Sequence, residues 1–202
     1  MPAQKAKRAV RIAKSSPVAI TGKLRIIGGI WRRRQLPVID AEGLRPTTDR
    51  VRETLFNWLQ TDLAGSRCLD LFAGSGALGL EAASRGASDV VLVEKSPAIA
   101  QMLAHNIKQL EASQVKLLHQ DALLYLQSQN SSADLDVDIV FLDPPYQSAL
   151  LQPVIAALRL GTGTKVYLEA KKGDDVAIPD NWLLLKDKVA GQIHYRLYEI
   201  SN

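Results

Sequence analysis

Apolar and polar positions follow two periods along this chain, and from residue 44 onward the two alternate. "LRPTTDRVRETLFNWLQ" (44–60) opens a helix, because Val51, Leu55, Trp58 and Leu59 recur at helical spacing and Thr48 or Asp49 can cap its start. Short apolar runs and helical stretches then take turns. Strand "RCLDLF" (67–72) leads to a helix over 76–86, and strand "DVVLVE" (89–94) to a helix over 97–111 that Pro97 can begin. Strand "VKLLH" (115–119) leads to a helix over 121–129, and "VDIVFL" (137–142) to a helix over 148–159. The fifth strand is "KVYLEA", within 164–170. Such alternation predicts right-handed βαβ units and an α/β fold with a doubly wound, mostly parallel sheet. Two last segments, 182–189 and 192–200, leave no room for a helix around Gly191. They are expected to pair antiparallel at the sheet edge, which brings the sheet to seven strands.

Upstream, "KLRIIGGIWRRRQLPVI" (23–39) predicts two short strands around Gly28-Gly29, an N-terminal β-hairpin extension. Residues 1–18 have little apolar patterning and read as flexible. The expected organisation is a basic arm over 1–22, a hairpin over 23–43 and one body over 44–202, with no internal repeat.

Composition narrows the class. A chain of 202 residues, 47% hydrophobic and 23% charged, buries a sizeable core as one domain. A lone cysteine, Cys68, excludes an internal disulfide framework and reads as a buried strand thiol. His105, His119 and His194 lie on different elements without ligand spacing, so no metal site is expected. No apolar run reaches ~18 residues, and the basic N-terminus lacks the apolar segment of a secretory signal. A cytoplasmic protein is expected.

Charge changes the picture more. Ten of the 25 Lys and Arg lie in residues 1–34, where there is no acid; the remainder carries 15 basic against 21 acidic residues, a net of −6. The formal +4 therefore hides a cationic arm on a mildly acidic body, the footprint of a polyanion partner. Arg32, Arg33 and Arg34 stand beside Trp31, which could stack on a base or could simply anchor the hairpin to the body.

Ligands of a doubly wound sheet bind beyond the carboxyl ends of its strands, and four segments fall there. In "LDLFAGSGALG" (69–79), Gly74, Gly76 and Gly79 satisfy G-x-G-x-x-G between a strand and a helix. Glu94 ends the next strand and can accept both hydroxyls of a ribose. Both features suit a nicotinamide or an S-adenosylmethionine site. Asp70 begins to separate them: an acid inside the first strand needs a partner, either a methionine ammonium or the loop itself. Asp121 ends the third strand as an N-cap, and it could also meet an adenine amino group.

The fourth segment is "VFLDPPYQ" (140–147). Asp143 and the Pro144 carbonyl are acceptors, and the two prolines remove competing backbone donors. Both acceptors can bind the hydrogens of a planar exocyclic amine and hold them out of plane. That localises the nitrogen lone pair for attack on an electron-poor methyl group. Tyr146 can stack on the ring bearing the amine, keeping a flipped base flat. Asp143, Pro144, Pro145 and Tyr146 are thus the candidate catalytic residues.

"RIIGGIWRRRQLPV", "GLRPTTDRVRETLFNWL", "DLFAGSGALGLEA", "VEKSP" and "DPPY" resemble the RsmD family, from about residue 23 to "VAGQIHYRLYEI" near the C-terminus. That family's members are Rossmann-like class I methyltransferases that use S-adenosyl-L-methionine on the N(2) amine of a guanine in small-subunit ribosomal RNA. By the resemblance, Asp70, Phe72, Ala73, Gly74, Ser75 and Gly76 line the methionine and ribose end of the cofactor. Glu94 takes the ribose hydroxyls, Lys95 flanks the adenine, and Asp121 with Ala122 meets its edge. Thr47 and Thr48 close over the methionine carboxylate. Arg45 and Arg50 reach RNA phosphate with the hairpin's Arg25, Trp31, Arg32, Arg33 and Arg34; Arg52 either joins them or pairs with Glu53 or Asp49. The implied partner is small-subunit (16S) ribosomal RNA in an assembled or partly assembled subunit, met by a monomer.

Other readings compete. An adenine-N(6) methyltransferase shares D-P-P-Y, and a glutamine-N(5) protein methyltransferase would favour Asn where this chain has Asp143. An NAD-dependent oxidoreductase fits the glycines and Glu94 but leaves Asp70 and D-P-P-Y without a use. A non-catalytic RNA chaperone would need only the basic arm.

Overall fold

Apolar runs without a polar face build the centre of the sheet. The structure, a computed structural model, describes residues 22–39, 48–129, 133–145 and 149–202. A hairpin of β1 (Gly22–Arg25) and β2 (Gln35–Val38) precedes α1 (Asp49–Trp58). The body continues with β3 (Arg67–Asp70), α2 (Gly79–Ser84), β4 (Asp89–Glu94), α3 (Pro97–Leu110) and β5 (Val115–His119). It ends with α4 (Ala122–Ser128), β6 (Ile139–Leu142), α5 (Leu151–Ala157), β7 (Lys165–Lys171), β8 (Trp182–Ala190) and β9 (Ile193–Ile200). The seven-stranded sheet runs β5-β4-β3-β6-β7-β9-β8. Its first five strands are parallel, and β9 and β8 return antiparallel at one edge. This is the doubly wound, mostly parallel sheet that the alternation predicts, with the seven-stranded Rossmann-like order that the resemblance implies.

Side chains alternate across the strands and divide the core in two. Cys68, Phe141 and Tyr167 face the hairpin, α1, α2 and α3. Leu69, Val140 and Val166 face α4 and α5. The strand order reverses between β3 and β6, and that switch point is where such sheets bind ligands.

Three elements depart from expectation. The helix after the glycines starts at Gly79 instead of 76, because Gly74 (φ +50°) and Gly76 (φ +81°) are left-handed and cannot join a right-handed helix. Gly28-Gly29 lie in a long connection over 26–34, not a tight turn between longer strands. There the backbone bonds leave the hairpin: Ile27 and Gly28 donate to Glu81, Trp31 donates to Ser84 Oγ, and Ile30 donates to the Ser84 carbonyl. Gly29 (φ +73°) approaches so closely that a Cβ would sit 1.8 Å from that carbonyl. Trp31 is the third. Its ring is 7% exposed and packs in the core with α1 and α2, so it anchors the hairpin and offers no open face to a base.

Candidate active site

Asp70 of β3 is in register with Phe141 of β6, so the chain leaves both strands at the same level. The glycine loop (71–78) and Asp143-Pro144-Pro145 therefore emerge side by side, and Leu71 N–H donates to the Phe141 carbonyl at 3.3 Å.

Two acids shape the loop. Asp70, 1% exposed, accepts the Phe72 N–H at 3.3 Å and the Gly79 N–H at 3.1 Å. These are the contacts of a loop-pinning acid, one of its two expected roles. Burial pushes its carboxyl up to about 7 even though both N–H groups favour the charged form. Glu94 closes the loop from β4, accepting Gly74 N–H at 2.9 Å on Oε2 and Ser96 N–H at 2.6 Å on Oε1. Ala73 and Gly76 complete the turn through Ala73 N–H to the Val93 carbonyl (3.0 Å) and Gly76 N–H to the Ala73 carbonyl (2.7 Å). Ala73, Gly74 and Gly76 are buried, while Phe72 and Ser75 are half-buried. Cys68, one turn of strand below, is a buried thiol pushed up to about 12 by burial, hence neutral.

Asp121 ends β5 and caps α4, accepting the Leu123 and Leu124 N–H groups at 3.0 and 3.3 Å on Oδ1. Its Oδ2 lies 2.9 Å from Lys95 Nζ, which holds the carboxyl below its ordinary range. Ala122 follows it, buried in the first turn. Thr48 caps α1 through the Val51 N–H at 3.4 Å. Thr47, Arg45 and Tyr146 lie outside the described residues.

The cationic candidates divide. Arg32, Arg33, Arg34 and Arg50 are exposed. Arg25 pairs with Asp49 at 2.5 Å, tying β1 to the start of α1. Arg52 takes the structural alternative: 1% exposed, it bonds Asp49 at 2.5 Å and the Arg25 carbonyl at 2.9 Å.

Sequence reasoning passed over Glu81, Ser84 and Glu169. Glu81 is fully buried, and its carboxylate joins Ile27, Gly28 and Arg85 (2.6 Å). The available signal was an acid inside the small apolar run "ALGLEAAS", where an unpartnered charge could not be buried. Glu169, 1% exposed, accepts the Tyr167 O–H at 2.8 Å at the end of β7. It lines a cavity of about 330 Å³ together with Pro144 and Pro145. Among the described residues no group of three or more His, Cys, Asp and Glu could hold a metal ion. No helix among them is long and apolar enough to cross a membrane.

The sequence model of the family described as conserved hypothetical protein 95 matches residues 24–199. The ribosomal RNA small subunit methyltransferase D of Escherichia coli K12 is 45% identical over 184 residues, 89% of this chain and 91% of that protein. The protein of the same name from Haemophilus influenzae is 44% identical over 184 residues, 88% of this chain and 94% of its own. The solved structure of the yhhF protein of Escherichia coli superposes with a TM-score of 0.80 at 42% identity, covering 89% of this chain and 99% of that one. With a match across most of its length and relatives at this identity, the chain belongs to the RsmD family.

Proposed function

We propose that the protein is a ribosomal RNA methyltransferase that transfers a methyl group from S-adenosyl-L-methionine to the N(2) amine of a guanine in small-subunit (16S) ribosomal RNA. The observation that carries this reading is the juxtaposition of Asp143-Pro144-Pro145 with the glycine loop at the switch point of the sheet. An amine acceptor and a cofactor loop side by side are what direct methyl transfer to an exocyclic amine requires. The names of the relatives in E. coli and H. influenzae support small-subunit RNA as the substrate.

The donor and acceptor set fits the cofactor. Glu94 sits against the loop at the end of β4, where a ribose diol can share its carboxylate. The resemblance assigns Asp121 and Lys95 to the adenine end, and Phe72 to Gly76 with Thr47 and Thr48 to the methionine end. When bound, S-adenosyl-L-methionine supplies an electron-poor methyl group to a nucleophile in line with its sulfur. Asp143 and the Pro144 carbonyl accept the two amine hydrogens of the flipped guanine, freeing its nitrogen lone pair, while Tyr146 supports the ring. The amine proton leaves to water. Arg32, Arg33, Arg34, Arg45 and Arg50 hold RNA phosphates, with the arm over 1–22 adding attraction. The protein acts as a cytoplasmic monomer on an assembled or partly assembled subunit.

The test offers methyl-tritiated S-adenosylmethionine in parallel to unmodified small subunits, naked ribosomal RNA, DNA and protein extract, then identifies the labelled nucleoside by chromatography. Label in N(2)-methylguanosine from the ribosomal samples supports the reading. Label in methyladenine, in DNA or in protein overturns the target.

A further inference from the structure

A second buried acid stands on the strand beside Asp143. Leu142 of β6 pairs with Leu168 of β7, so Asp143, the first residue beyond β6, stands beside Glu169, which is still within β7 and paired with Tyr195 of β9. Alternation along β7 carries Glu169 to the face of Tyr167. Glu169 is held firmly there. Tyr167 donates its O–H to Glu169 Oε2 at 2.8 Å, and the Tyr167 ring meets the Phe141 ring edge-on at 6.5 Å and the Tyr195 ring at 6.5 Å. A carboxylate fixed this way is a preorganised hydrogen-bond acceptor, which costs little reorganisation when a donor arrives.

The cavity that Glu169 shares with Pro144 and Pro145 is also bordered by Asp174, Asp175 and one cation, Lys171. With three acids against one lysine the wall is net anionic, which disfavours phosphate and suits the part of a nucleotide that carries N–H donors. Among the bases, guanine places two such donors next to each other, at N(1) and N(2). Adenine presents a lone pair at N(1), which would face the lone pairs of a carboxylate.

Resting on the proposed guanine reaction, we infer that Glu169 accepts the N(1)–H of the target guanine while Asp143 and Pro144 hold its N(2) amine, so that Glu169 makes this site read guanine. The glutamate is then a specificity-determining residue. A polar group left facing the wrong base is the strongest means a site has of rejecting it.

The test uses small subunits reconstituted with the guanine that the wild-type protein modifies replaced, by RNA ligation, with 2-aminopurine. That base keeps the N(2) amine and has a lone pair at N(1). Wild-type protein is expected to prefer guanine by about 100-fold or more in kcat/KM. Glu169→Gln, whose amide can donate as well as accept, is expected to narrow that preference by at least about tenfold while S-adenosylhomocysteine affinity stays the same. If both substrates slow equally in the variant, Glu169 only supports Tyr167 and the inference is wrong. Equal use of the two bases by the wild-type protein overturns it without any variant. Absence of N(2)-methylguanosine in the wild-type reaction overturns the proposed function instead.

Discussion

The carboxylate of Glu81 accepts the backbone N–H of Gly28 at 2.7 Å across an interval of 53 residues, joining the N-terminal hairpin to the helix that follows the glycine loop. Through the same side chain and Ser84, the loop carrying Arg32, Arg33 and Arg34 is fastened to the body that holds the candidate site. Under the proposed function, such a rigid mount would fix the distance between phosphate contacts and the reacting base, which a free arm could not do.

Glu81→Gln leaves one acceptor where two backbone donors and Arg85 converge, and it removes the buried charge facing Arg52 at 3.9 Å. The variant should lose about 2–4 kcal/mol of stability in urea denaturation. At a temperature where it remains folded, its affinity for ribosomal RNA should fall more than its affinity for S-adenosylhomocysteine. Equal losses would mean that the contact serves the fold alone.

On the proposed reaction, Asp143→Ala removes an acceptor at the amine that is methylated. Turnover should drop by about 100-fold or more, while S-adenosylhomocysteine binding measured by calorimetry should stay within about threefold. A parallel loss of both would place Asp143 in cofactor binding.

Reversing Arg32, Arg33 and Arg34 to Glu replaces three exposed cations on the hairpin loop. RNA affinity should fall, and the slope of log affinity against log salt should flatten by about two to three. Cofactor affinity should not change. A full slope in the variant would transfer the RNA grip to other residues.

Asp70 gives a pH signature. Its buried carboxyl titrates at about 7 in the folded protein, far above its ordinary value of 3.8. The folded chain therefore holds this proton more tightly than the unfolded chain does. The stabilising contribution is complete below pH 3.8, is lost as pH rises toward 7 and is absent above it. Relative to Asp70→Asn, the wild-type protein should lose a few kcal/mol of stability over that window, read from paired denaturation curves. Parallel curves across the window would show that Asp70 is ionised throughout. Asn offers one acceptor where the loop presents two donors, so the variant should be the less stable of the two at the acid end of the window.

Element order, the parallel sheet and its antiparallel return were legible in the chain because they follow from short-range pattern. Four apolar residues in a row at Ile139–Leu142, cut off by two prolines, read as a short central strand, and two strands with one glycine-containing link turn back on each other. The placement of the two motifs at strand ends was legible for the same reason: Asp143-Pro144-Pro145 and the spaced glycines are local devices whose residue types state their own backbone needs.

Tertiary structure alone decided what the charged and aromatic residues do. Arg25, Arg50 and Arg52 look alike as candidate phosphate contacts, yet one pairs with Asp49, one is exposed and one is buried. Trp31 went to the core because α1 and α2 supplied an apolar seat for it. Glu81 and Glu169 acquired their roles from partners that the fold brings within bonding distance, Gly28 and Tyr167 among them. Secondary structure is set by the period of apolar residues along a few turns of chain, whereas the meaning of a charge depends on the desolvation and the partners that distant segments impose.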